Sequence, residues 1–519
     1  MKSKTLTKIL AVILALSMMT LSACSSGGAN TQDTTKSEGV KETTTIKGEL
    51  KVALNGEPSN LDPQNNTELN AWAVQEEIYD KLIQKDSEGN FKADIATKWE
   101  TVDDTTTRFY LRDDVSFSNG EKLTAEDVKF TLQRATTQNG SKSFFSTIDT
   151  EGITVVDDYT IDVKTTEPFA PLLAYLSSAR GAILCKSALE SMGNEAYGRN
   201  PIGSGPYALS EWSNGQNIIL EKRSDYWGEA GVSQTITFKF ITEASTRAIE
   251  LETGAVDAIY AVAETDAKRI EENKDLVLLS GPSYQIVYFT FDMDDAIVGN
   301  LKVRQAMAKA IDMPAVVDAV YGNSADVADG VMSPNVFGYK SIGVTQYDPE
   351  GAKTLLKEAG YGDGVTLSLK LDDNSSYKAI AEIVQNMWQQ IGINVEITIL
   401  DHATFESQKA AGEVQVGIGS SNAASGDPDH MFSGWLVGIG YEARPFDDKI
   451  LEFKSAGKVE FDDAKRTEIY GELQQYIYDN LYMAPIAFSK VVYGVSSKVE
   501  NFDCNPGRTP DLAKVTVYE

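Results

Sequence analysis

Residues 348–400 read DPEGAKTLLKEAGYGDGVTLSLKLDDNSSYKAIAEIVQNMWQQIGINVEITIL, and this stretch sets the fold class. Asp348-Pro349 is an N-cap followed by proline at the first helical position, where the missing N–H costs nothing. Ala352, Leu355, Leu356 and Ala359 recur at helical spacing, and Gly360 ends that helix. Ile380, Ile383, Val384, Met387, Trp388 and Ile391 form a second helical stripe closed by Gly392, after which Val395, Ile397 and Ile399 alternate as a strand. Helices and strands in close alternation are the pattern of an α/β domain. The pattern continues outward: residues 48–54 alternate as a strand before Pro58 and Pro63 break it, and Thr124-Ala-Glu-Asp127 has capping-box spacing ahead of a helix carrying Val128 and Leu132. Such stripes build a core and say little about chemistry.

At 519 residues and 42% hydrophobic, the chain is too long for one core and calls for two or three domains. It carries 47 basic against 76 acidic residues, a net charge of −29, which repels phosphate backbones and excludes nucleic-acid binding as its overall function. Its 22 Tyr, 19 Phe and 6 Trp exclude global disorder, and three cysteines with two histidines leave little material for zinc sites or a disulfide framework. Whether Cys185 and Cys504 pair is open.

The first 24 residues have a basic start (Lys2, Lys4, Lys8) and an apolar run from Ile9 to Leu16, the form of a secretory signal of residues 1–23. Leu21-Ser22-Ala23-Cys24 resembles the bacterial lipoprotein box, in which the cysteine is acylated and becomes the first residue of the mature chain. Several acyl chains, at ~0.8 kcal/mol per buried CH₂, hold a protein to a bilayer surface. Residues 24–46 are small and polar and read as a tether between that lipid and the folded body. The expected location is the outer face of the cell membrane, on a lipid anchor at Cys24.

Enzyme motifs are mostly absent. No GxxxxGK[ST], HExxH, CxxC, GxGxxG or GxSxG occurs. Ser375-Ser-Tyr-Lys378 matches SxxK without an accompanying KTG, which leaves a cell-wall hydrolase using Ser375 and Lys378 as a weak rival reading. Asp292-Met-Asp294-Asp295 opens like a calcium loop but has Ile297 and Val303 where Gly and Glu belong. His402 and His430 are too few for a catalytic zinc. No metal, cofactor or enzymatic activity is expected.

Several segments, in order and over nearly the whole mature length, are similar to one family. They are Glu57-Pro-Ser-Asn-Leu-Asp-Pro63; Ala93 to Glu100 with Arg108 to Arg112, Phe117-Ser-Asn-Gly-Glu121 and Leu123 to Val128; and Pro201-Ile-Gly-Ser-Gly-Pro-Tyr207 with Asp225-Tyr-Trp-Gly228. Val303 to Met307 with Ala310-Ile-Asp312, Tyr347 to Glu350 with Leu355 to Gly360, and Gly426-Asp-Pro-Asp429 complete the set. These resemble the extracytoplasmic solute-binding proteins of ABC importers, in the oligopeptide/dipeptide/nickel group. The resemblance implies an α/β, two-lobed periplasmic-binding-protein-like fold (type II, cluster C) with an extra domain inserted in lobe I. Lobe I would comprise residues 47–90, 198–293 and 491–519, the inserted domain 91–197, and lobe II 294–490. A small, peptide-like solute would bind between the lobes, a hinge would close over it, and the closed monomer would dock on membrane permease subunits. The same fold also serves oligosaccharide and metal-chelate binders, and a sensor without transport is a further alternative.

The resemblance carries site residues too. Peptide binders of the family hold the ligand's amino group on an Asp three residues before the DP step, which here is Ala424. Ser420, Ser421, Asn422 and Ser425 offer neutral hydrogen bonds instead; with a one-residue gap in the register, Asp427 itself would take the amine. Lys378 falls near the dipeptide binder's basic residue for the ligand carboxylate, or is an exposed helix lysine. The loop 65–72, with Thr67 and Trp72, sits where the family lines its cleft; Trp72 either covers a ligand face or packs internally, and Trp435 has the same two readings.

Overall fold

The computed structural model describes residues 45–86, 88–441, 446–507 and 510–519; Cys24, the signal and most of the tether lie outside it. The stretch 348–400 folds as its pattern dictates. Asp348 caps the helix Pro349–Glu358 by accepting the Gly351 amide at 2.9 Å, and the stripe from Ile380 lies on the helix Ser375–Gln389. Gly360 and Gly392 take φ of 92° and 93°, a left-handed backbone that favours glycine and ends each helix. The strand Ile393–Leu400 then pairs in parallel with Val365–Asp372. Thr124 is capped as expected: its amide donates to the Asp127 carboxylate at 3.0 Å at the start of the helix Ala125–Ala135.

These elements belong to an 11-stranded mixed sheet that runs through the body. At one end lie Ile393–Leu400, Val365–Asp372 and Val416–Asn422; at the other Glu49–Leu54, Thr235–Phe240, Asn217–Lys222 and Tyr207–Ser213. Two long antiparallel strands, Leu276–Phe291 and Met483–Ser496, join the halves. Their register breaks in mid-length, where Pro282 pairs with Lys490 and the next partners are Ile286 and Phe488, and shifts again between Val287 and Tyr288. A break of this kind bends and twists a ladder locally.

The apolar cores change over at that break. Val491, Tyr493 and Val495 belong to a first core that runs from Leu50 through Phe238 to Val517. Val287, Phe289 and Phe291 belong to a second core with Val303, Leu369, Trp388 and Ile418. On the first strand the change therefore falls before Ile286, ahead of the boundary at 293 read from the sequence. The reason is that the alternating residues 287, 289 and 291 already face the second core while the strand continues unbroken. Residues 91–197 contribute a four-stranded antiparallel sheet whose Phe109, Ile161 and Val163 pack continuously with the first core. Cys185 and Cys504 are both free thiols.

Candidate functional site

A third core, with Ile286, Met431, Phe432, Trp435 and Tyr470, meets the first along a seam, and several bonds cross it. The Tyr175 hydroxyl donates to Asp429 Oδ2 at 2.8 Å, and the Ala170 amide donates to the Lys458 carbonyl at 2.9 Å. Lys458 also pairs with Glu167. Lys85 Nζ, at the end of the short strand Ile83–Lys85, donates to the Ser425 carbonyl at 2.8 Å.

On the third-core side the seam is organised by the turn before the helix Pro428–Gly438. Asp427 is its N-cap, accepting the Asp429 amide at 2.9 Å, and Pro428 pre-sets the first turn. Gly426 stands at φ 68°, and a Cβ there would lie 2.8 Å from Lys85 Nζ, so glycine serves both the backbone and the close approach of the lysine. Asp427 is buried and grips Arg466 in a two-pronged ion pair, Nη1 to Oδ2 and Nη2 to Oδ1, each at 2.8 Å. Both of its oxygens thus accept from Arg466, and its charge is balanced within the protein. Burial pushes the Asp429 carboxyl above its usual range, with Lys454 Nζ 3.8 Å away holding it back.

On the first-core side stands Arg180, 7% exposed, in the short turn after the helix Leu172–Leu176. Its guanidinium carbon lies 4.8 Å from the Trp72 ring centroid and 4.1 Å from that of Phe144, and Nε donates to the Gly140 carbonyl at 2.7 Å. Among the described residues no carboxylate lies within ion-pair distance of it. Burial alone pushes its pKa down to about 10. Phe144 in turn packs on His430, ring centroids 4.2 Å apart, and His430 Nδ1 accepts the Ser425 amide at 3.3 Å. Burial, then Arg180, lower the His430 pKa to about 3, so the imidazole is neutral at physiological pH.

Three buried polar atoms along this seam have no hydrogen-bond partner among the described residues: Trp72 Nε1, the Asn422 side-chain oxygen and Asp429 Oδ1. Both polar side-chain atoms of Gln75, Nε2 and Oε1, one helical turn after Trp72 on the same face, are unpartnered as well. An unpaired buried polar group is costly.

Residues 90–441 match the profile of bacterial extracellular solute-binding proteins, family 5 Middle. The chain belongs to that family. It is similar to the glutathione-binding protein GsiB of Escherichia coli O1:K1 / APEC, 27% identical over 471 residues, 88% of this chain and 91% of the relative. Its fold matches the Listeria monocytogenes ABC transporter substrate-binding protein CtaP with a TM-score of 0.83 at 22% identity, covering 92% of this chain and 100% of that one. It also matches the Helicobacter pylori periplasmic binding protein DppA, solved with the peptide STSA, with a TM-score of 0.77 at 24% identity over 91% and 99% of the two chains. This solute-binding protein is thus the extracytoplasmic component of an ABC importer and no enzyme. Among the described residues, no helix is long and apolar enough to cross a membrane.

Of the residues singled out in the sequence, the fold links Trp72 to the 424–427 turn through Arg180, Phe144 and His430. Asn422 ends the strand Val416–Asn422 just before that turn, with Ser421 half-buried beside it and Ala424 half-buried within it. Thr67 is exposed ahead of the helix Leu69–Ile78. Lys378 is paired with Asp373, so its charge is satisfied locally, and Ser375 merely opens a helix capped by Asn374. Trp435 is packed in an aromatic cluster with Phe432 and Phe446. Arg180 escaped the sequence reading, although a signal existed: it is an arginine in a largely apolar run with no acid between Glu167 and Glu190.

Proposed function

We propose that this protein captures a peptide or peptide-like solute between two lobes and hands it to a membrane permease while tethered by a lipid on Cys24. The observation that carries the reading is Arg180: a buried guanidinium between two aromatic faces with no counter-charge, at the seam. A buried charge is stable when it is paired, and a solute carboxylate is the natural partner for a planar fork of donors. Trp72, Gln75 and Asn422 supply the neutral donors and acceptors that a peptide amide requires. Ala424 brings no carboxylate to an amino group, and Asp427 is paired with Arg466, so N-blocked, cyclic or otherwise amine-free solutes fit better than free dipeptides. The likeness to a glutathione-binding protein and to a fold solved with a peptide agrees with a peptide-like class.

Closure would turn about the register break between Pro282 and Ile286 and the facing residues near Lys490. Small-angle scattering tests this, using calorimetric hits from a panel of free and N-acetylated di- and tripeptides. A bound solute should reduce the radius of gyration without changing the oligomeric state. An unchanged radius at saturation would speak against a hinged capture mechanism.

A further inference from the structure

The charges along the seam do not cancel. Asp427 is paired with Arg466, Asp429 with Lys454, and Glu167 with Lys458. Two cations are left over. Arg180 has no acid within ion-pair distance among the described residues, and its one hydrogen bond goes to a backbone carbonyl. Among the described residues Lys85 likewise reaches only the Ser425 carbonyl and the face of Phe91, 5.1 Å from its ring centroid. The nearest acid that acts on Lys85 is Asp427, whose charge Arg466 opposes; burial keeps the lysine's pKa below its ordinary value.

Both cations bear on one turn. Lys85 Nζ holds the Ser425 carbonyl, while the Ser425 amide donates to His430, and His430 feels Arg180. His430 is neutral and contributes no charge. In a chain with 76 acids, a buried arginine and a half-buried lysine with no acid in ion-pair distance among the described residues make a binding surface that wants negative charge from outside.

We propose that Lys85 and Arg180 form a two-cation clamp that selects a solute bearing two carboxylates and rejects a free ammonium at the 424–426 turn. Arg180 takes one carboxylate between Trp72 and Phe144. Lys85 faces the second, and its ammonium already occupies the carbonyl that a ligand amine would otherwise use. This reading deepens the peptide-like solute proposed above and rests on the same inter-lobe site.

Three probes separate the possibilities by calorimetry: N-acetyl-alanyl-alanine with one carboxylate, N-acetyl-alanyl-glutamate with two, and alanyl-glutamate with two carboxylates and a free ammonium. The wild type should bind N-acetyl-alanyl-glutamate at least about 10-fold more tightly than either of the others, the ratio expected from one added charge-assisted contact. Lys85→Met, which keeps the apolar stem over Phe91, should shrink that preference to within about 3-fold and improve alanyl-glutamate relative to wild type. Lys85→Gln, checked for an unchanged melting temperature, serves as the second variant. Equal binding of the mono- and diacid, accompanied by compaction in scattering, would remove the clamp while leaving the inter-lobe site in place. Binding of none of the three would remove the clamp and count against the peptide-like class itself. A preference that survives both substitutions would assign it to other residues and overturn the role of Lys85.

Discussion

Arg180→Met should separate binding from stability, because the charge it removes is one the unliganded fold does not use. Burial lowers the guanidinium pKa from its ordinary range to about 10, a shift that corresponds to roughly 3 kcal/mol of uncompensated desolvation. The substitution relieves that cost and loses three smaller terms. These are the contacts with Trp72 and Phe144, about 0.5–1 kcal/mol each, and the bond to the Gly140 carbonyl, about 1 kcal/mol. The balance is about 0 to 1 kcal/mol in favour of the variant. For a folded body spanning residues 45–519, an unfolding entropy of ~2 cal/mol/K per residue makes each kcal/mol worth about 1 °C. Scanning calorimetry should therefore show the unliganded variant melting level with wild type or about 1 °C above it. Titration with an N-acetylated peptide that binds wild type should show the opposite: losing one partner of a desolvated charge pair costs ~2–5 kcal/mol, a drop of about 30-fold or more in affinity. A variant that melts several degrees low would make Arg180 a structural residue, and one that binds within about 3-fold of wild type would deny it a solute carboxylate.

Three further outcomes follow from particular residues. Asp427→Ala strands Arg466, whose side chain is 6% exposed, and should lower stability by ~3–5 kcal/mol in urea titrations; adding Arg466→Met should recover most of that loss, and no recovery would mean that the pair is not the cause. Asp94 is buried beside Asp80, and burial first, then Asp80, push its pKa up to about 7. Its folded pKa lies above the unfolded value of ~3.9, so the native state holds the extra proton between the two. The stabilisation is full below about pH 4 and lost as pH rises through about 7, up to ~4 kcal/mol in all, and thermal melts at several pH values should show Asp94→Asn without that part of the slope. Cys24→Ser should release the protein from membranes on cell fractionation; protein kept in the pellet after a high-salt wash would point to another attachment.

What the sequence revealed and what it withheld divide along a physical line. The helices at 349–358 and 375–389 and the strand at 393–400 were legible because their signals are local: a cap, a period and a terminating glycine lie within one or two turns of one another. The Asp127 cap was legible for the same reason. The seam was not, because Tyr175 meets Asp429 across 254 positions and Lys85 meets Ser425 across 340, and no periodicity spans such distances. Asp427 shows the same limit: its ion pair with Arg466 was not legible, because the arginine sits 39 residues on, inside the helix Asp463–Asp479.

The same division explains how a chain of net charge −29 can carry a cationic seam. Charges at the solvent surface are screened within ~8 Å at physiological ionic strength, so the many exposed acids set solubility and long-range repulsion but scarcely reach a buried turn. Inside the seam, attraction falls off far less, and what matters is which charges have a partner within a few ångströms. There each acid has a cation nearby: Arg466 holds Asp427, Lys454 lies 3.8 Å from Asp429 and Lys458 takes Glu167. Among the described residues Arg180 and Lys85 have no acid within ion-pair distance, so the sign of the site is fixed by pairing and not by composition. A solute that supplies the missing negative charge draws the two sides of the seam together at the 424–427 turn, and that differential contact is what a closing hinge needs.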